Sequence, residues 1–261
     1  WDAAVRGCAF VQHIASPFPL ENPADEAELI QPAVAGTRRV LAAAARGGVK
    51  RVALTSSVAA VSHGHNGRSE PFTEADWSVL DAAIDPYAKS KTLAEQAAWE
   101  FMAGLPADNP LELVVINPGY VIGPVLDSRE KTSAALHRTY LEARVPGTSQ
   151  IKFNLVDVRD VSKAHVAAMT APEVAGKRFL CVGGGIWLPE FARILARHFR
   201  PRGFRVPTLR FPAWFVRLYA LVDKNARRTV DQLDKDTRYE TGQIRQVLGW
   251  EPFPLETSII D

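Results

Sequence analysis

Arg51-Val52-Ala53-Leu54-Thr55-Ser56-Ser57 is the stretch that decides the fold. Residues 51–54 read as a short buried strand that ends in three hydroxyl side chains. Upstream, Glu26 to Ala45 has the spacing of a long helix. Leu29, Ile30, Val34, Thr37, Val40, Leu41 and Ala44 share one face, and Gly47-Gly48 close it. Pro32 lies inside that pattern and is expected to bend the first turns. Before the helix, Phe10 to Ala15 is an apolar run read as another buried strand, ending at Ser16-Pro17. Downstream, a polar loop from His63 to Asp85 leads to Pro86. Strong helix formers then run to Phe101, with Ala94, Ala97, Ala98 and Phe101 on a narrow apolar face. Leu111 to Asn117 is a third strand, ending at Pro118-Gly119. Strands alternating with helices in this way predict an α/β fold with a doubly wound, Rossmann-like parallel sheet. Ligands of such sheets bind at the carboxyl ends of strands, here Ala15-Ser16-Pro17, Thr55-Ser56-Ser57 and Pro118-Gly119. Small residues are also common at such turns for purely local reasons.

Beyond residue 125 the pattern loosens. A helix is expected over Lys131–Ala143, a strand over Phe153–Val158 and a helix over Val161–Met169. A further strand, Arg178–Val182, ends at Gly183-Gly184-Gly185, and Leu188–Phe199 is amphipathic. Residues 1–125 and 150–185 read as the nucleotide-binding core. Residues 126–149 and 186–261 read as a small C-terminal α/β substrate-binding cap.

Composition narrows the function. The chain has 261 residues, 47% hydrophobic and 23% charged, as in globular proteins. A net charge of +2 gives no ground for a nucleic-acid partner, and no apolar run reaches a membrane span. The basic, aromatic stretch Arg197–Arg217 is broken by Pro201, Pro207 and Pro212, so it reads as loop and strand rather than a membrane-surface helix. Two cysteines, Cys8 and Cys181, both read as core thiols and fit a reducing compartment such as the cytoplasm. The opening Trp1-Asp2-Ala3-Ala4-Val5 reads as the middle of a helix or loop, so a further N-terminal portion is expected.

Tyr87 and Lys91 are four apart on the helix after Pro86 and share one side of its first turn. An ammonium beside a phenol favours the phenolate, so a lowered Tyr87 pKa is expected. Such a tyrosine exchanges a proton with a carbonyl or alcohol oxygen. Ser57 would bond that same oxygen, and Lys91 would also hold a ribose hydroxyl pair. This set lacks a nucleophile-base-orienter triad and suits proton transfer coupled to hydride transfer from a nicotinamide. The remaining candidates are weaker. His63 and His65 lack other metal ligands at suitable spacing. Gly183-Gly184-Gly185 lacks a following Lys-Ser/Thr and reads as a tight turn. Cys8 and Cys181 lack an adjacent activating base and read as inert. In Asp157-Val158-Arg159-Asp160, substrate contact competes with a helix N-cap at Asp160, and the cap is favoured.

The ordered set of motifs resembles the extended short-chain dehydrogenase/reductases, the NAD-dependent epimerase/dehydratase family. Within it, the set is similar to the dihydroflavonol reductase, cinnamoyl-CoA reductase and NADPH-dependent aldehyde and ketone reductase group. The pieces are His13-Ile14-Ala15-Ser16-Pro17, Pro32 to Thr37, Lys50 to Ser57, Tyr87 to Glu95, Asn117 to Pro124 and Val158-Arg159-Asp160-Val161. The resemblance implies Ser57, Tyr87 and Lys91 as catalytic residues. It implies Ala15, Ser16, Thr55, Tyr87, Lys91, Pro118, Gly119, Tyr120, Val121 and Ser133 as cofactor contacts. The cofactor implied is NADP (NADPH), with NAD as the other option. The loop Val58–Asp76 and the region Val125–Ala143 would shape the substrate pocket.

The family pattern opens with a strand and a glycine-rich turn that receives the pyrophosphate, and neither is in this sequence. The reading is therefore of a reductase in which the nicotinamide half of the site is present. Its implied partner is a small-molecule carbonyl substrate, with no nucleic acid and no membrane, in a monomer or homodimer. A homodimer would use the helices at Glu26 and Tyr87. The competing readings are a sugar-nucleotide epimerase or dehydratase and a non-catalytic relative without cofactor.

Overall fold

The computed structural model describes residues 1–18, 23–65, 67–125, 134–221, 230 and 232–261. These form two units. The first comprises Trp1–Gly119, Asp160–Cys181 and Tyr239–Glu251; the second comprises Tyr120–Arg159, Val182–Arg238 and Pro252–Asp261. No described helix is long and apolar enough to cross a membrane.

A short helix α1 (Asp2–Val5) precedes β1 (Phe10–His13), α2 (Ala27–Arg46), β2 (Arg51–Thr55), α3 (Pro86–Ala103) and β3 (Glu112–Pro118). The second unit begins with β4 (Tyr120–Ile122) and continues with α4 (Ala135–Leu141) and β5 (Lys152–Asp157). Then come α5 (Val158–Thr170), β6 (Arg178–Cys181), β7 (Gly184–Trp187), α6 (Leu188–Phe199) and α7 (Ala213–Tyr219). Helices α8 (Gly242–Leu248) and α9 (Leu255–Ile260) follow.

In the first unit β1, β2, β3 and β6 pair in that order, all parallel, as in a Rossmann-like sheet. Alternation along β2 sorts its side chains. Val52 and Leu54 pack with Leu41 and Ala44 of α2, Ala98 of α3, and Leu113 and Val115 of β3. Arg51 and Thr55 point the other way, toward α5. The buried Arg51 guanidinium reaches the carbonyls of Ala168 and Met169 in the last turn of α5 and that of Ala171 just beyond it, at 2.8–2.9 Å. These groups have no partner within the helix, so a cation there is well placed. Helices therefore cover both faces of the sheet. β1 is a half-buried strand, outermost in the sheet among the described residues, that stops at His13, not the fully buried strand running to Ala15 that its composition predicts.

In the second unit β4 and β5 are parallel, and β7 runs antiparallel to β5. The core here joins Leu155, Ile186, Phe191, Leu195, Tyr140 and Ile259. Four expectations change. Gly183-Gly184-Gly185 is not a tight turn: Gly183 N–H donates to the Leu155 carbonyl at 2.8 Å, and Gly184 and Gly185 open β7. A Cβ at Gly185 would meet the end of the Lys152 side chain across the strand pair. The helix expected after Asp160 starts at Val158. Asp157 takes the capping role, accepting from Arg159 N–H at 2.8 Å and pairing with the Arg159 guanidinium at 2.7 Å. Within Arg197–Arg217, residues 213–219 are helical, started by Pro212, which is compatible with a helix N-terminus. Finally, Cys8 is exposed rather than a core thiol, lying in the turn between α1 and β1 that Gly7 enters with φ 75°; Cys181 is buried. Of the helix expected over 131–143, residues 131–133 lie outside the described residues.

Candidate functional site

The site residues gather where β1, β2 and α3 meet. Pro86 occupies the first turn of α3, and the Asp85 carboxylate accepts from Ala88 N–H at 3.0 Å. This cap fixes where the helix begins and hence where Tyr87 and Lys91 stand. The Ser57 hydroxyl accepts from Ala59 N–H at 3.1 Å, capping the 3-10 turn Val58–Ala60. Its side chain also acts on the Tyr87 phenol, opposing the rise in pKa that burial causes there. Lys91 Nζ lies 5.8 Å from the centre of the Tyr87 ring, and Phe18 covers that ring at 4.8 Å between centroids.

A small cleft beside this pair is lined by His13, Ala15, Ser16, Thr37, Leu54, Thr55, Ser56, Lys91, Ala94 and Glu95. Four of the expected cofactor contacts, Ala15, Ser16, Thr55 and Lys91, therefore share one cleft. Ser57 and Tyr87 are neighbours of Lys91 outside its lining. Pro118 and Gly119 close β3 in the same unit and also lie outside the lining. Tyr120 and Val121 open β4 in the second unit, where Tyr120 packs edge-on against Phe153. Ser133 lies outside the described residues.

The electrostatics differ from the sequence expectation in one respect. Tyr87 is not acidified. Burial raises its pKa above 10, the Ser57 side chain opposes this, and the neighbouring Asp85 carboxylate raises it further. Burial also lowers Lys91 to about 8, with Glu95 pulling the other way. Lys91 is not among the causes of the Tyr87 shift, which burial dominates. Tyr87 is thus held as a neutral phenol at neutral pH, able to give a proton.

Sequence reasoning missed several residues. Glu95, one turn beyond Lys91, is 1% exposed. It accepts from Arg178 Nε at 2.6 Å, Asn117 Nδ2 at 2.8 Å and Trp99 Nε1 at 3.3 Å. Asn117 Nδ2 also donates to the Ser57 carbonyl at 3.2 Å, so this network ties α3 to the end of β2. Arg178 stacks over Trp77 at 3.9 Å and donates to the carbonyls of Glu74 and Asp76 at 2.8 and 2.7 Å. The helical spacing of Glu95 from Lys91 was visible; its partners, 22 and 83 residues away in sequence, were not. Two histidines also flank the cleft. Thr55 Oγ1 is 2.8 Å from His165 Nε2, and Thr37 Oγ1 is 3.5 Å from His13 Nε2. Burial lowers His165 to about 4 and, with the Lys91 charge, lowers His13 as well. The weak metal candidates are used locally. His63 lies 3.7 Å from the Asp85 carboxylate, and His65 contacts the Trp77 carbonyl at 2.9 Å.

The family model for the NAD dependent epimerase/dehydratase family matches residues 2–183. A cinnamoyl-CoA reductase of Medicago truncatula is 38% identical over 269 residues, covering 99% of this chain and 73% of its own. Cinnamoyl-CoA reductase 1 of Arabidopsis thaliana is 37% identical over 201 residues, covering 76% of this chain and 56% of its own. Among solved structures, a yeast methylglyoxal/isovaleraldehyde reductase complexed with NADPH is similar with a TM-score of 0.80 at 26% identity. That match covers 100% of this chain and 77% of the yeast one. The chain thus spans between 56% and 77% of the length of these relatives.

Proposed function

Because the chain belongs to the NAD dependent epimerase/dehydratase family, we propose that it is an NADPH-dependent reductase that converts an aldehyde or ketone to an alcohol. One observation carries this reading: Lys91 stands 5.8 Å from the Tyr87 ring at the wall of a cleft, and the Ser57 side chain acts on the same phenol, which burial keeps protonated. The names of the matched relatives, which are reductases, support the same class and the same cofactor. The donor set of the cleft fits a nicotinamide riboside: the Ser16, Thr37 and Thr55 hydroxyls and the Lys91 ammonium suit a ribose diol.

NADPH supplies the hydride, and the residues of the chain handle the proton. Ser57 holds the substrate oxygen near Tyr87 and donates to the developing alkoxide. Tyr87 gives that oxygen its phenolic proton, which its raised pKa keeps in place. Lys91, charged below about pH 8, then stabilises the phenolate left behind. The reverse direction requires a phenolate at the outset, which burial opposes, so the rate of alcohol oxidation should rise with pH. Substrate selection is assigned to side chains of the loop Val58–Asp76. A reducing compartment such as the cytoplasm suits the two free cysteines.

The test is to incubate the protein with NADPH and a panel of aromatic and aliphatic aldehydes and ketones. Oxidation of NADPH matched by formation of alcohol supports the reading. The second reading, a sugar-nucleotide epimerase or dehydratase, is favoured by the name of the matching family model. It would convert sugar nucleotides with no net consumption of NADPH, and that result would replace the first reading.

A further inference from the structure

Ser56 sits between the hydroxyls of Thr55 and Ser57, and its own environment differs from both. The alternation that turns Val52 and Leu54 toward α2 and α3 places Ser56 on that same side, where it lines the cleft with Lys91. It is 6% exposed. Its N–H donates to the Ile116 carbonyl at 2.8 Å, so the main chain is satisfied. Its Oγ has no hydrogen-bond partner among the described residues. Two of the other three cleft hydroxyls are engaged, Thr55 with His165 and Thr37 with His13, while the third, Ser16, is less buried than Ser56. Buried hydroxyls are nearly always paired, so one left open requires an explanation. Other unpaired buried atoms, Asn117 Oδ1, Thr148 Oγ1, His165 Nδ1 and Arg178 Nη2, belong to residues outside the cleft lining. Ser56 alone of these faces a space that a ligand could fill. That space is walled by Lys91 but not by Ser57 or Tyr87, so it lies beside the proton-transfer pair rather than at it.

We propose that Ser56 Oγ is a nucleotide ligand, completing its hydrogen bonding on the ribose hydroxyls of the nicotinamide half of NADPH. A hydroxyl that both donates and accepts matches a diol that does the same. The proposal rests on the reductase reading above, which supplies the nucleotide.

Ser56→Ala separates this role from a structural one. Removing a hydroxyl that nothing in the free protein uses leaves the fold intact or firmer. The melting temperature without ligand should therefore equal or exceed that of the wild type. The NADPH Kd, measured by titration of intrinsic fluorescence, should rise about five- to tenfold, the loss expected for one hydrogen bond. Ser56→Cys, a weaker donor of similar size, should lie between. The carbonyl KM at saturating NADPH should not move. An NADPH Kd within twofold of wild type overturns the proposal. So does a lower melting temperature without ligand, which would mean the hydroxyl is used inside the protein. A raised carbonyl KM with unchanged Kd overturns it in favour of a substrate contact. Absence of NADPH binding by the wild-type protein overturns the reductase reading and this proposal together.

Discussion

Lys91 and Glu95 stand one turn apart on α3, both buried, at 7% and 1% exposure. Around Glu95 the protein supplies Arg178, Asn117 and Trp99, and the carboxylate is fully engaged. Around Lys91 burial dominates and lowers its pKa to about 8. One turn is built to hold the sheet end and the helix together, and the next keeps a costly cation at the wall of a cleft. In the proposed function Lys91 serves the nucleotide and Glu95 the fold, although both line the same cleft, and each half of the contrast can be broken by itself.

The largest stability effect is expected at Glu95. Glu95→Ala strands the buried Arg178 guanidinium and should cost about 3–5 kcal/mol, read from the urea midpoint. Lys91→Met should do the reverse. The folded pKa of Lys91 lies near 8 and the unfolded one near 10.5, so the unfolded chain binds this proton more tightly. Wild-type stability should therefore rise between about pH 8 and 10.5, and the cost of the charge is present in full below pH 8. Near pH 7 the methionine variant should gain on the order of 2–3 kcal/mol while losing nucleotide binding. Loss of stability in that variant would break the comparison.

His165 gives a third test at acid pH. Its folded pKa near 4 lies below the usual 6.5, so the unfolded chain takes up the proton first. Stability should fall by about 2 kcal/mol between pH 6.5 and 5 from this group. His165→Gln, which retains a polar partner for Thr55, should flatten that slope in a pH series of melting curves. The smallest effect is expected at the outer face of α3. Arg38 and Glu100 are paired at 3.0 Å but 54% and 68% exposed. Arg38→Ala should cost no more than about 0.5 kcal/mol.

The contrast between Lys91 and Glu95 also marks how far the sequence could be read. The strand β2, the helices α2 and α3 and the parallel sheet follow from local periodicity and from hydroxyl-rich strand ends. The neighbourhood of Ser57, Tyr87 and Lys91 follows once two strand ends and one helix start are placed. The role of Glu95 depends on Arg178, which comes from another strand, and no local pattern announces it. The same holds for Gly184 and Gly185, which open β7 because β5 offered a partner edge. It holds for Asp157, which capped α5 before Asp160 could. The direction of the Tyr87 shift was misread because sequence gives the lysine beside a phenol but not the depth at which both lie. Cys8 was misread for the opposite reason: its apolar neighbours were visible, but its place in the turn between α1 and β1 was not.

The central claim is that Tyr87 gives the proton while its surroundings bind the nucleotide. The most direct test is the turnover number of Tyr87→Phe at saturating NADPH and aldehyde, with the NADPH Kd of the same sample. The account predicts turnover reduced by about 10²–10⁴-fold, the range for loss of a general acid, with a Kd close to that of the wild type. Turnover within a fewfold of wild type in a variant that still binds NADPH would contradict it.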